Sequence, residues 1–148
     1  MRILLVVDDS ESSVDVIETV TARAWPENAM VRVLSVPKCV PVELHSSDDT
    51  LELAQQEMTR MAERLTSRVT DVLRAKPLSA DMAIRFGDPV VQILDEAQEW
   101  SANLIVVGAN SFESDDPEEN VARSVVCHAP CRVEIVERGA AAYNARFS

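Results

Sequence analysis

Residues 104–136 constrain the fold of this chain more than any other stretch. They begin with the apolar run LIVVG, which ends at Gly108, and continue through a polar segment, an amphipathic run and the turn CHAPC to the β-branched run RVEIV. This order predicts a strand, a loop, a short helix and a second strand. Strands joined through a helix pair in parallel, and in such sheets the loop after the first strand usually lines a ligand crevice.

The rest of the chain repeats this alternation of apolar and amphipathic runs. We predict further strands at 2–8, 29–36 and 80–86, and helices at about 10–24, 50–75 and 88–100. Together with strands at 103–108 and 132–136, they imply an α/β fold, a three-layer sandwich with a parallel sheet. We expect a single domain over residues 1–137, followed by a C-terminal tail at 138–148 that has no apolar period.

The longest predicted helix has apolar residues at intervals of three and four. Its opposite face consists of Glu, Gln, Arg and Thr, which favours core packing over a cofactor site for the apolar stripe. The predicted core positions are Leu51, Ala54, Met58, Met61, Leu65, Val69, Val72 and Leu73.

Charge and composition exclude several classes of function. The net charge of −11 over 148 residues disfavours nucleic acid and anionic membranes as partners. No run of about 18 apolar residues predicts a membrane span, and the N-terminal apolar run is too short for a secretory signal. The three cysteines are an odd set, typical of a reducing compartment, so we expect a cytoplasmic protein.

Three segments of the chain resemble the universal stress protein (UspA-like) family. They are ILLVVDDSESS near the N-terminus, GDPVVQILDEAQEWSANLIVVGA in the middle and HAPCRVEIV near the end. The resemblance covers residues 2–137 and implies a five-stranded parallel sheet of order 3-2-1-4-5, the Rossmann-like fold of the adenine nucleotide alpha hydrolase-like proteins. It also implies a homodimer through the final strand, and the β-branched residues 133–136 favour the same pairing because they would otherwise form an unprotected edge.

Four residues match positions that surround the nucleotide in family members that bind one. Asp8 matches the aspartate that ends strand 1, and Val36 lies near the adenine-contacting position. Gly87 matches the glycine after strand 3, and Gly108 the first glycine after strand 4. These residues can hold an adenosine fragment. In the alternative, Asp8 only orients the turn before the first helix, and Gly87 only supplies a positive φ before a helix cap.

The phosphate-binding motif that the resemblance implies, G-x-x-G-x9-G-[S/T], is incomplete. Gly108 matches its first glycine, but Ser111 occupies the second position and Val121 the third. The chain has no glycine between Gly108 and Gly139. Glycines let the backbone approach phosphates, so the motif predicts the loss of ordinary ATP binding.

The loop after Gly108 is also strongly acidic. Its carboxylates would repel a triphosphate; they are Glu113, Asp115, Asp116, Glu118 and Glu119. We interpret Asp116 and Pro117 as the N-cap and first residue of a helix with glutamates in its first turn. The alternative is a divalent cation site, although the spacing lacks the alternation and glycine of a Ca²⁺ loop.

The turn from Cys127 to Cys131 contains two thiols and the imidazole of His128. Zinc needs four ligands, and no second cluster of cysteines or histidines supplies the fourth. A cysteine nucleophile has no better support, because His128 is adjacent in sequence and His45 lies in a predicted loop. We therefore predict a structural turn, with neither a metal nor a catalytic residue.

These observations predict a universal stress protein with a regulatory or interaction role. We expect no enzyme activity, no cofactor, a homodimer and protein partners whose identity the sequence does not give. The alternative is an ATP-binding member that uses Asp8 and Gly108, with Mg²⁺ held by the acidic loop and slow hydrolysis.

Overall fold

A computed structural model of the chain describes residues 1–8, 12–37, 48–76, 78–109, 120–137 and 144–147. Within these ranges strands and helices alternate as far as the fifth strand. They are β1 (Arg2–Val7), α1 (Ser12–Ala22), β2 (Met30–Ser35), α2 (Asp48–Arg74), β3 (Ser79–Ile84), α3 (Pro89–Glu99), β4 (Leu104–Gly108), α4 (Val121–His128), β5 (Arg132–Val136) and β6 (Asn144–Phe147). No helix in the described ranges is both long and apolar enough to cross a membrane.

The strands form one sheet of order β3-β2-β1-β4-β5-β6. The strands β1 to β5 are parallel, which confirms the predicted fold class and the order 3-2-1-4-5. The strand β1 lies between β2 and β4, and its residues 3–7 are fully buried. A strand that is covered on both faces is apolar at every position, which explains the unbroken run ILLVV.

Each face of the sheet has its own hydrophobic core. On one face Leu4 and Val6 pack in a cluster with Ile93 of α3 and Val125 of α4. On the other face the alternate residues of β1 pack with side chains of α1 and α2; this cluster includes Ile3, Leu5, Val7, Val16, Val20, Val69 and Leu73. The period of two along β1 therefore divides one apolar run between two layers of helices.

The C-terminal segment, which was predicted as a tail without an apolar period, contains a strand. The strand β6 pairs antiparallel with β5, with Val133 opposite Phe147 and Val136 opposite Asn144. Such a strand is held by backbone hydrogen bonds and does not need alternating apolar residues. A search for apolar periodicity in the sequence therefore does not detect it. The outer edge of β5, which was predicted to be free for a partner copy, is paired within the chain.

The predicted core stripe of α2 is confirmed only in part. Val69 and Leu73 are buried, but Met61 and Val72 are 53% and 48% exposed, so their prediction as core residues was wrong. The 27 residues of α2 span about 40 Å, whereas the six-residue strand β3 spans about 20 Å. The first half of the helix therefore has little sheet to pack against. In the second half the buried face runs through Thr66, Val69, Thr70 and Leu73, and Val72 lies beside it. The side chain of Leu51 lies outside the described residues.

Candidate functional site

The carboxyl ends of the parallel strands form the predicted crevice. Val7 pairs with Ser35, and Ser35 pairs with Ile84, so β1, β2 and β3 end at the same level. The strand β4 runs parallel beside β1 and ends at this edge too. The fold therefore brings all the predicted nucleotide-site residues to one edge of the sheet; they are Asp8, Val36, Gly87 and Gly108.

Asp8 is engaged with the start of α1. Its backbone N–H donates to Ser13 Oγ at 2.7 Å, and the Ser13 hydroxyl donates to Asp8 Oδ1 at 2.9 Å. This reciprocal pair closes the turn between β1 and α1. The contact agrees with the alternative in which Asp8 orients the turn, and Ser13 is a site residue that the sequence analysis missed.

Val36 lies behind the crevice. Its side chain is 3% exposed and packs in the core cluster that contains Ile93 and Trp100. The adenine contact predicted near Val36 stays a prediction. Val36 supports the crevice through packing.

Gly87 is required by the geometry of the turn into α3. Its φ is +136°, and a Cβ at this position would lie 2.7 Å from Nε2 of Gln92. The next residue, Asp88, caps the helix by accepting the Val91 N–H at 3.1 Å, and Pro89 follows at the first helical position. The positive φ before a cap is the role proposed for this glycine as the alternative to ligand contact.

The helix after the acidic loop begins later than predicted. Asn120, not Asp116, is the N-cap of α4, and its Oδ1 accepts the Arg123 N–H at 2.9 Å. Asparagine is as good an N-cap as aspartate, so the sequence contained two competing helix starts. Residues 110–119, with Ser111, Pro117 and all five acidic side chains, lie outside the described residues.

A network of ion pairs that the sequence did not reveal lies between α3 and the strands β2 and β3. Arg32 donates to both carboxylate oxygens of Asp81 and to Oε1 of Glu96, all at 3.0 Å, while Arg85 donates to Oε2 of Glu96 at 2.7 Å. The Trp100 ring lies 4.6 Å from the Arg32 guanidinium. The hydrogen bond to Asp81 does most to raise the pKa of Arg32, and burial opposes it. The network ties α3 to β2 and β3.

The turn from Cys127 to Cys131 joins α4 to β5. Cys127 is exposed, and burial raises the pKa of the Cys131 thiol. His128 Nδ1 lies 2.9 Å from the Ser124 carbonyl, one turn back in α4. Among the described residues, no group of three or more His, Cys, Asp and Glu side chains is placed to hold a metal ion.

The order of the sheet and the crevice at its carboxyl edge define a Rossmann-like α/β protein. The family model of the universal stress protein family matches residues 1–137, so this chain belongs to that family and the resemblance is confirmed. No curated protein matches the chain.

Solved universal stress proteins have the same fold. UspA from Lactobacillus plantarum is 22% identical over 92% of this chain and 97% of its own, with a TM-score of 0.66. A family protein from Arabidopsis thaliana with AMP bound is 16% identical over 95% and 93%, with a TM-score of 0.67. The Archaeoglobus fulgidus protein in complex with dAMP is 21% identical over 92% and 97%, with a TM-score of 0.62.

Proposed function

We propose that this universal stress protein has a regulatory role, acts through protein partners, and neither binds ATP at ordinary affinity nor catalyses a reaction. One observation supports the loss of ATP binding most directly. The start of α4 is capped by a side chain of the protein, because Asn120 Oδ1 accepts the Arg123 N–H at 2.9 Å. This helix follows β4, where ATP-binding members of the family place their phosphates.

The helix end and the preceding loop are poorly suited to phosphates. A helix binds phosphate through the free N–H groups of its first turn, and the Asn120 side chain already takes one of them. The loop before it has no glycine after Gly108. It has five carboxylates, and each one within about 6 Å of a phosphate would cost on the order of 3 kcal/mol at an effective dielectric of 20.

A second candidate is the binding of an adenine nucleotide with fewer phosphates. The Arabidopsis thaliana and Archaeoglobus fulgidus relatives are complexes with AMP and dAMP. Asp8 and Gly108 of this chain lie at the carboxyl ends of the adjacent strands β1 and β4. A monophosphate needs fewer contacts than a triphosphate, so the missing glycines penalise it less.

Calorimetric titration of the nucleotide-stripped full chain tests both candidates. ATP, AMP and adenosine are each titrated with and without Mg²⁺, and we expect no heat from ATP. Micromolar ATP binding would overturn the main proposal. Heat from AMP alone, lost in Asp8→Asn, would support the second candidate.

A pair of cap variants tests the reason for the lost ATP affinity. Asn120→Gly frees the Arg123 N–H, so any residual ATP binding should strengthen. Asp88→Gly removes the equivalent cap from α3 and is the matched control, with no expected effect on ATP.

A further inference from the structure

An open groove of about 890 Å³ lies between α2 and β3, the strand at the edge of the sheet farthest from β6. From α2 it is lined by Arg60, Arg64 and Arg68, and from β3 by Met82 and Ile84. Met82 is 49% exposed. The groove therefore joins a basic helix face to an apolar strand edge.

The arginines form a positive stripe on a strongly acidic protein of net charge −11. They are four residues apart and so project from successive turns of one helix face, where like charges repel. Arg64 and Arg68 make no hydrogen bond or ion pair in the described part of the chain, and Arg60 has only a contact of 3.9 Å with Glu57. Glu63 also lines the groove, but three arginines outweigh it. The stripe is suited to an anionic partner.

The backbone of β3 is open where it meets this stripe. The Arg85 N–H donates to the Ser35 carbonyl in β2, so alternation turns the N–H and C=O groups of Met82 and Ile84 away from β2. The Ala80 carbonyl also faces outward, but the Arg74 guanidinium covers it through Nε at 3.2 Å and Nη2 at 3.0 Å. Within the described part of the chain, the uncovered stretch of this edge therefore begins at Met82, inside the groove.

We propose that this groove binds an extended acidic segment of a partner protein, which adds a strand to β3. Alternate side chains of an added strand lie about 6–7 Å apart on one face. Arginines four residues apart on α2 are spaced by about 6 Å along the helix. Two carboxylates of the segment can thus meet Arg64 and Arg68 while its backbone pairs with Met82 and Ile84.

An acidic peptide segment suits this groove better than a second copy of the chain or a nucleic acid does. A second copy paired through β3 would bring two arginine stripes together, and nucleic acid is repelled by the overall charge of −11. The inference gives a chemical class to the partner in the proposed function. It concerns the edge strand β3, which β2 separates from β1 and the β1–β4 crevice, so ATP bound in the crevice would refute the proposed function and leave this binding unchanged.

The probe is an amidated peptide in which glutamate alternates with valine, with a fluorophore on its N-terminus. The full chain is titrated into it, and binding is followed by the fluorescence anisotropy of the peptide. One matched peptide replaces each glutamate with glutamine, and another is N-methylated at alternate amides to prevent strand pairing. We expect the glutamate peptide to bind, and each matched peptide to bind at least tenfold more weakly. Equal binding of either matched peptide, or no binding of the glutamate peptide, would overturn the proposal.

Charge-reversal variants test the location of the site. The double variant Arg64→Glu/Arg68→Glu should weaken binding at least tenfold, whereas Arg123→Glu, an exposed arginine on α4, should change it less than twofold. Circular dichroism confirms that each variant is folded. Unchanged affinity in the double variant would refute the site, and a dimer of the native chain that this variant abolishes would identify a second copy as the occupant.

Discussion

The guanidinium of Arg23, which lies just after α1, donates two hydrogen bonds to the carboxylate of Glu134 in β5. Nη1 lies 2.6 Å from Oε1, and Nη2 lies 2.7 Å from Oε2. Glu134 is only 2% exposed. The Arg23 guanidinium also lies 5.0 Å from the centroid of the Trp25 ring. A charged strand residue is thus made compatible with the core by a partner 111 residues away.

Arg23→Ala should therefore destabilise the fold strongly. Removal of one partner of a buried ion pair costs about 3 kcal/mol, since the remaining charge stays buried. Urea denaturation measures the loss, with Arg123→Ala as the exposed control that should stay within about 0.5 kcal/mol of the native chain. A loss below about 1 kcal/mol for Arg23→Ala would show that other contacts of Glu134 suffice.

Two glutamates that share Arg85 should differ in their contribution to stability. Glu96 is buried and accepts from Arg32 and Arg85. The Glu99 side chain is 67% exposed, and among the described residues it accepts only from Arg85, at 2.9 Å. We expect Glu96→Ala to lower the free energy of unfolding by about 2 kcal/mol and Glu99→Ala by less than about 0.5 kcal/mol. Equal losses in denaturant titrations would contradict the structural role of the buried network.

Gly87→Ala should cost about 1–2 kcal/mol, because alanine is strained at a φ of +136°. The new methyl would also meet the Gln92 side chain, whose Oε1 accepts from Arg85 at 2.9 Å. Thermal unfolding of Gly87→Ala/Gln92→Ala, compared with Gln92→Ala, separates the two causes. If Gly87→Ala/Gln92→Ala is as stable as Gln92→Ala, the contact with the Gln92 side chain, and not the backbone conformation, accounts for the loss of stability.

Cys127 and Cys131 should react with iodoacetamide at different rates. Cys127 is exposed, whereas Cys131 is half-buried and its pKa is raised because burial disfavours the thiolate. Alkylation of Cys131 should therefore begin at higher pH than that of a free cysteine and lag behind Cys127. Peptide mass spectrometry across a pH series follows both sites. Faster labelling of Cys131 near neutral pH would contradict its burial.

Removal of residues 138–148 should promote self-association. The deletion removes β6 and uncovers the outer edge of β5, whose backbone groups can then pair with a second copy. A homodimer through β5 remains our prediction for the family fold, and in this chain it requires β6 to leave or exchange. Sedimentation should show dimers at lower concentration for the shortened chain. Equal dimerisation of both chains would show that β6 does not compete for the edge.

The crevice illustrates where sequence reasoning works and where it stops. A positive φ at Gly87 before a helix cap was predicted as the alternative to ligand contact, and the structure has that φ and a cap at Asp88. The local sequence does not distinguish Asn120 from Asp116 as the N-cap of α4, because both residue types are good caps. The role of Ser13 was not predicted, because its hydrogen bond to Asp8 depends on how the chain turns after β1.

The sequence by itself determined the first five strands, the four helices and the absence of glycines between Gly108 and Gly139. These follow from periodicity and motifs, which act over a few residues, whereas the order of the strands was implied by the family resemblance. Only the tertiary structure decided that Arg23 meets Glu134, that β6 pairs with β5, and that the arginine stripe of α2 lies beside an open strand edge. Such contacts join distant parts of the chain, and no local pattern specifies which strands and helices become neighbours.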